Sequence, residues 1–170
     1  MMNLDDIAPG SLCVLDANIP IYAEQGISAQ SQRFLRRIAM REVTGVLPQT
    51  AWQELIHRLM LTEALKTGLI TAGNPARQLA AKPEAVKQLS LYRDKVRALV
   101  ELGIGFEACK HKDLLEDAFG FQERYGLLTN DSDLLAVAVR LKADAFVTAD
   151  ADFKLVKEIP VFTPTDIQGS

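Results

Sequence analysis

The sequence predicts a three-layer α/β/α protein with a doubly wound, parallel, five-stranded sheet, on three observations. Short apolar runs alternate with helical stretches along the whole chain, as strands and crossover helices do. Two of those runs, residues 11–15 and 145–148, are apolar without alternation, the pattern of strands buried on both faces. Each leads into acid, Asp16 directly after the first, Asp150 and Asp152 shortly after the second. In a parallel sheet the strand ends and helix starts share one edge, and ligands bind there.

Residues 11–15 make the first strand, which stops at Asp16. Pro20, four residues on, suits the first turn of a short helix, and residues 31–41 make a more regular one. Residues 45–48 form a brief second strand. From Thr50, the side chains of Trp52, Leu55, Ile56, Leu59 and Met60 fall on one stripe of a helix that ends near Gly68. Residues 69–82 contain Gly73-Asn74-Pro75, with Pro83 just after, and read as a loop between helices with room for a short turn. Residues 84–102 read as one long helix stopped by Gly103, 104–109 as a third strand, and 113–125 as a helix closed by Gly126. Asn130, Asp131 and Ser132 then open a helix whose apolar positions Leu134, Leu135, Val137, Ala138 and Leu141 recur at helical spacing. Residues 145–148 and 161–163 supply the fourth and fifth strands. There is no internal repeat and no low-complexity segment.

At 170 residues, 48% hydrophobic and 24% charged, the chain is expected to form one domain over 1–170 with a real core. The opening MMNLDDIAPG has neither a basic nor an apolar leader region, and no apolar run approaches bilayer length. A cytoplasmic protein without membrane contact is therefore expected. Cys13 and Cys109 are isolated, which predicts buried thiols in a reducing compartment, with no disulfide and no zinc site. The net charge of −3 is uninformative, but its distribution is not: residues 1–30 carry −4, 31–112 carry +7 and 113–170 carry −6. If the acidic ends meet, the basic middle, with Arg33, Arg36, Arg37, Arg41, Arg58, Arg77 and Lys82, could line a polyanion track. Taken singly, each of these arginines reads as an ordinary residue of a solvated helix face.

An acid that terminates a buried strand, as Asp16 does, has few structural jobs beyond capping the next helix. Asn18 could orient Asp16 or serve a turn. Asp131 stands in a helix's first turn, where the macrodipole alone would favour a carboxylate. Asn130 with Asp133 resembles a capping pair, which leaves Asp133 outside the site. Glu54 lies off the apolar stripe with Arg58 at i+4, a surface pair by periodicity. Its place near a helix N-terminus, with a side chain leaning toward that end, nevertheless brings it to the same sheet edge. His57 and His111 have no partner at ligand spacing and are read as non-ligands.

The run 127–153, LLTNDSDLLAVAVRLKADAFVTADADF, resembles the C-terminal half of a PIN-domain nuclease. Leu15-Asp16-Ala17-Asn18 and Trp52-Gln53-Glu54-Leu55-Ile56-His57-Arg58 supply the acids of the N-terminal half, so the resemblance spans roughly residues 11–164. It implies a site in which Asp16, Glu54, Asp131 and Asp150 hold Mg²⁺ or Mn²⁺, with Asp152 behind Asp150 or as an occasional ligand. Asn18 and Thr148 would orient the substrate. Hard carboxylate oxygens suit these ions, which activate water for phosphodiester hydrolysis. The resemblance further implies an endoribonuclease leaving 3′-hydroxyl and 5′-phosphate ends, a homodimer, and kinship with VapC-type toxins held inactive by an antitoxin. Residues 69–82 and the helix after them make this chain longer than the compact toxins. Two other readings compete. A haloacid-dehalogenase-like phosphatase would use Asp16 as nucleophile, although it wants a second aspartate where Asn18 stands. A non-catalytic PIN-like scaffold would bind RNA or protein without cutting.

Overall fold

The computed structural model describes residues 1–109 and 111–167, and of residues 111 and 113 the backbone alone. The chain runs β1 (Met2–Asn3), a 3₁₀ turn (Leu4–Asp6), β2 (Leu12–Leu15), α1 (Asn18–Gln25), α2 (Ala29–Ala39), β3 (Thr44–Pro48) and α3 (Gln49–Lys66). It continues through α4 (Pro75–Ala80), α5 (Pro83–Gln88), α6 (Leu91–Glu101), β4 (Gly105–Glu107), α7 (His111–Tyr125) and α8 (Thr129–Arg140). β5 (Ala145–Val147), a second 3₁₀ turn (Ala151–Leu155) and β6 (Val161–Thr163) complete it.

Among the described residues the sheet has six strands, all parallel, in the order β1-β6-β5-β2-β3-β4. The chain moves outward from β2 through β3 to β4, then returns across the sheet by α7 and α8 to β5 on the other side of β2. The strand order thus reverses between β2 and β5, and right-handed crossovers put the helices of the two halves on opposite faces. A crevice opens at the carboxyl ends of strands at such a reversal. Buried residues of β2 and β5, among them Val14, Leu15, Phe146 and Val147, lie between those layers, and Phe146 packs on Phe153 with ring centroids 4.7 Å apart. Cys13 belongs to this core, where burial pushes its thiol up to about 12, so it behaves as a small hydrophobe.

The sheet has one strand more than expected. β1 contributes only Met2 and Asn3, paired with Phe162 and Thr163, too short a run to carry any periodicity. The third strand is also shorter than the run 104–109 suggests, and Cys109 lies beyond its end. No helix among the described residues is long and apolar enough to cross a membrane.

The region after α3 differs most from the expectation. Gly73-Asn74-Pro75 opens a true helix: Pro75 takes the first helical position and the Asn74 carboxamide oxygen accepts from Arg77 N at 3.3 Å. The single helix expected over 84–102 is two, α5 and α6, separated by an extended Leu89 and by Ser90. The cause is Glu63 of α3. Its carboxylate is buried and accepts from Ser90 N at 3.0 Å, Leu91 N at 3.1 Å and Tyr92 N at 2.7 Å, so it caps α6 from another helix. Leu89 meanwhile turns into a second small core with Ala64, Ile70, Leu79 and Ala85.

Burial pushes the Glu63 carboxyl up, but the three backbone donors outweigh it and hold the group below its ordinary value of 4.5. Its stabilisation is therefore present above that value and lost as pH falls through the lowered one. Glu63→Ala should destabilise the protein by about 2–3 kcal/mol, since three helix-end donors lose a charged acceptor. A denaturant melt checks it, and the loss should shrink on acidification. An unchanged midpoint at neutral pH would contradict this account of the break.

Candidate active site

At the β2–β5 reversal, the backbone carries the ladder one residue past β2, Asp16 N donating to Val147 O at 2.9 Å. That bond fixes where the Asp16 side chain emerges. Its Oδ2 accepts from Thr148 Oγ1 at 2.7 Å and from Asn18 Nδ2 at 2.6 Å. Thr148 Oγ1 in turn accepts from Asp150 N at 3.0 Å, and Asn18 Oδ1 accepts from Ala149 N at 3.1 Å. The ends of the two central strands are thereby joined through side chains. Thr148 is fully buried, so its hydroxyl faces Asp16 rather than solvent, and the Asn18 carboxamide is taken up by Asp16 and Ala149.

Asp150 precedes the second 3₁₀ turn and its Oδ1 accepts from Asp152 N at 2.9 Å. Asp131 is the third residue of α8, whose N-cap Leu128 offers no side-chain bond. The expected Asn130–Asp133 cap is therefore not formed; Asp133 is buried within α8, engaged inside the protein. Glu54 comes from the second turn of α3 and pairs with Arg58 at 3.3 Å.

A pocket of about 420 Å³ is lined by Asp16, Glu54, Asp131 and Asp150 together. Asp152 is exposed and does not line it, and neither does His57. The side chain of His111 lies outside the described residues. Two further walls escaped the sequence reading as site residues. Tyr22 stands one turn after Asn18 on α1, a spacing that could have found it, and Arg58 reads in the sequence as a surface partner of Glu54 and as one of several residues of a basic track, not as a wall of this pocket.

The charges act on one another. Burial pushes the Asp16 carboxyl up, the Thr148 hydroxyl opposes that, and the Glu54 charge adds to it. Asp131 is pushed up to about 6, first by burial and then by the negative charges of Asp16, Asp150, Glu54 and Asp152. Among the described residues no three His, Cys, Asp or Glu side chains are already drawn together as ligands of one ion. Like charges stand apart until something neutralises them, and the four carboxylates line a single space. Hard oxygens, a shared negative field and, among the described residues, Arg58 as the one cation on the pocket wall make this a donor set that fits a divalent ion.

The basic middle of the chain does not form the continuous track that composition suggested. Arg33 pairs with Asp5 at 2.7 Å, and Arg37 with Glu42 at 2.7 Å and with Ile7 O at 2.6 Å. With Arg36 they line a different pocket, of about 490 Å³, beside the loops that lead into β2 and β3 at the opposite sheet edge. Lys82 donates to Leu69 O at 2.7 Å. Of the basic residues named, Arg58 alone lines the acidic pocket.

Fold and pocket together define a class: a parallel α/β protein with an acidic cleft where its strand order reverses. Within that class the chain belongs to the PIN-domain family, a family of nucleases, which it matches over residues 13–159. No curated protein sequence matches it significantly. Among solved structures, it is similar in fold to the VapBC2 complex of Rickettsia felis bound to a DNA fragment from its promoter. There the TM-score is 0.59 at 15% identity, over 89% of this chain and 98% of that one. A toxin-antitoxin complex from Klebsiella pneumoniae gives a TM-score of 0.56 at 16% identity, over 86% and 94%. The haloacid-dehalogenase reading falls with the family assignment, and Asn18, where it needs an acid, spends its amide on Asp16 and Ala149.

Proposed function

We propose that this chain is a divalent-metal-dependent endoribonuclease of one domain, with Asp16, Glu54, Asp131 and Asp150 as the residues that hold Mg²⁺ or Mn²⁺. The observation that carries the reading is the single pocket lined by those four carboxylates at the strand-order reversal of a PIN domain. An ion held there lowers the pKa of water and neutralises charge on a phosphodiester.

The chain's own residues supply position. Thr148 and Asn18 fix the Asp16 carboxylate, and buried Thr148 holds the Asp150 backbone through its N–H. Asp131 enters from α8 and Glu54 from α3, so four elements must keep their packing for the carboxylates to face one space. Asp152 adds negative field, its backbone N–H steadying Asp150. Because the Asp131 proton is held until about pH 6 in the metal-free protein, cation and proton compete there, so cation affinity, and cleavage at limiting Mn²⁺, should fall on acidification below that pH.

A protein antitoxin as partner is supported by the fold likeness to two toxin-antitoxin complexes. A homodimer in the cytoplasm fits the same reading, with Leu115 and Phe119, exposed one turn apart on α7, as apolar surface for a contact. The test is incubation of the purified chain with a labelled oligoribonucleotide in Mn²⁺ and in EDTA. Cleavage in Mn²⁺ alone, leaving 5′-phosphate ends, is the expected result. Binding without cutting would favour a non-catalytic scaffold instead.

A further inference from the structure

An acid-lined pocket that takes a polyanion needs a cation of its own, and of the basic residues that composition offered for this Arg58 alone lines it. Arg33 and Arg37 are neutralised by Asp5 and Glu42 at the other pocket. Arg58 stands on the wall of the acidic one, with its side chain about half exposed. It leans on Glu54 through Nη1 at 3.3 Å, a single long contact between exposed groups that is easily exchanged. We infer that Arg58 is the substrate-phosphate clamp of this site and works by exchange: it pairs with Glu54 while the pocket is empty, and passes to the phosphodiester once a cation takes Glu54. This rests on the nuclease reading above.

The physical reason is charge. A cation ligated by Glu54 withdraws the carboxylate from Arg58 and repels the guanidinium, while a phosphate on that cation attracts it. The planar fork of five N–H donors matches two phosphate oxygens, which an ammonium does not. Arg58 lies one turn after Glu54 on α3, so the movement needed is a side-chain rotation, with no change of backbone. The exchange has a consequence of opposite sign on the two ligands. Without Arg58 a cation should bind more tightly, because a nearby positive charge is gone. RNA should bind more weakly, because its phosphate loses a partner. A structural role for Arg58 would move both the same way or neither.

The experiment compares wild type, Arg58→Gln and Arg58→Lys. Mn²⁺ binding to the RNA-free proteins is followed by calorimetry. Binding of a fluorescein-labelled oligouridine is followed by anisotropy in Ca²⁺ over a range of salt. Arg58→Gln should bind Mn²⁺ about 3- to 10-fold more tightly. It should bind the oligouridine about 10-fold more weakly, with the log-log salt slope reduced by about 0.7. Arg58→Lys keeps the charge and loses the fork, so its Mn²⁺ affinity should stay at the wild-type value and its oligouridine affinity should fall between the other two. Unchanged oligouridine binding by Arg58→Gln, or Mn²⁺ binding that is unchanged or weaker, overturns the exchange and leaves the nuclease reading standing. A wild-type chain that takes up no Mn²⁺, or binds no oligouridine, overturns that reading and the clamp with it.

Discussion

Asp16→Asn should lower RNA cleavage by about 10²–10³-fold while leaving the protein folded. Asp16 is the buried carboxylate at the centre of the pocket, held from two sides by Thr148 and Asn18. Asparagine keeps its shape and an oxygen for the Thr148 hydroxyl, so the junction between β2 and β5 survives. What disappears is the negative charge that a cation would bind, and losses of this order follow when one group that stabilises charge in a reaction is removed. Because burial pushes the Asp16 carboxyl up, the native charge is held at a cost in stability that the amide does not bear. The variant should melt no lower than wild type in EDTA. Full cleavage by Asp16→Asn would remove this residue from the site, and a large drop in melting temperature would assign it a structural role.

Asp131→Asn should raise the melting temperature of the metal-free protein at pH 7.5 by roughly 2–4 °C and abolish cleavage. The carboxyl titrates at about 6 in the folded protein against an ordinary value of 3.8. A displacement of that size corresponds to about 3 kcal/mol at full burial. Partial exposure and solvent screening reduce it to on the order of 1–2 kcal/mol, and losing a charge at a helix N-terminus gives back about 0.3–1 kcal/mol. The folded value lies above the unfolded one, so the folded state is favoured by keeping the proton. That advantage is complete below 3.8 and is lost as pH rises through about 6. Wild type and variant should therefore differ most above pH 6 and converge toward pH 4. Mn²⁺ should stabilise wild type more than the variant, since it acts on the folded state in proportion to its affinity. A variant that is less stable in EDTA, gains as much from Mn²⁺ and still cuts would show Asp131 to be only a helix-start residue.

What could be read from the sequence was what is local. β2 and β5 announce themselves as unbroken apolar runs, with Asp16 directly after the first and Asp150 a short step beyond the second, past Thr148 and Ala149. Asp131 was legible because the apolar spacing of α8 begins just after it. Glu54 was harder, since on its own helix it reads as a surface residue, and only its place near the start of α3 turned it toward the edge where the pocket lies. The rest depends on contacts between distant residues. Glu63 breaks a helix that lies 27 residues further on, which helix propensity cannot foresee. The partner that removes Arg33 from any RNA track, Asp5, is 28 residues away. Arg58 looks like any other i+4 surface partner until the pocket shows what stands beside it.

The central claim is that four carboxylates from four elements serve one metal-dependent site. Anomalous scattering from crystals grown with Mn²⁺ tests it most directly. The account predicts a peak inside the pocket, within about 2.0–2.4 Å of oxygens from Asp16 and at least one of Glu54, Asp131 and Asp150, and its loss in Asp16→Asn crystals. A chain that cleaves RNA in Mn²⁺ with no peak there, or with its Mn²⁺ bound at another part of the molecule, would contradict it.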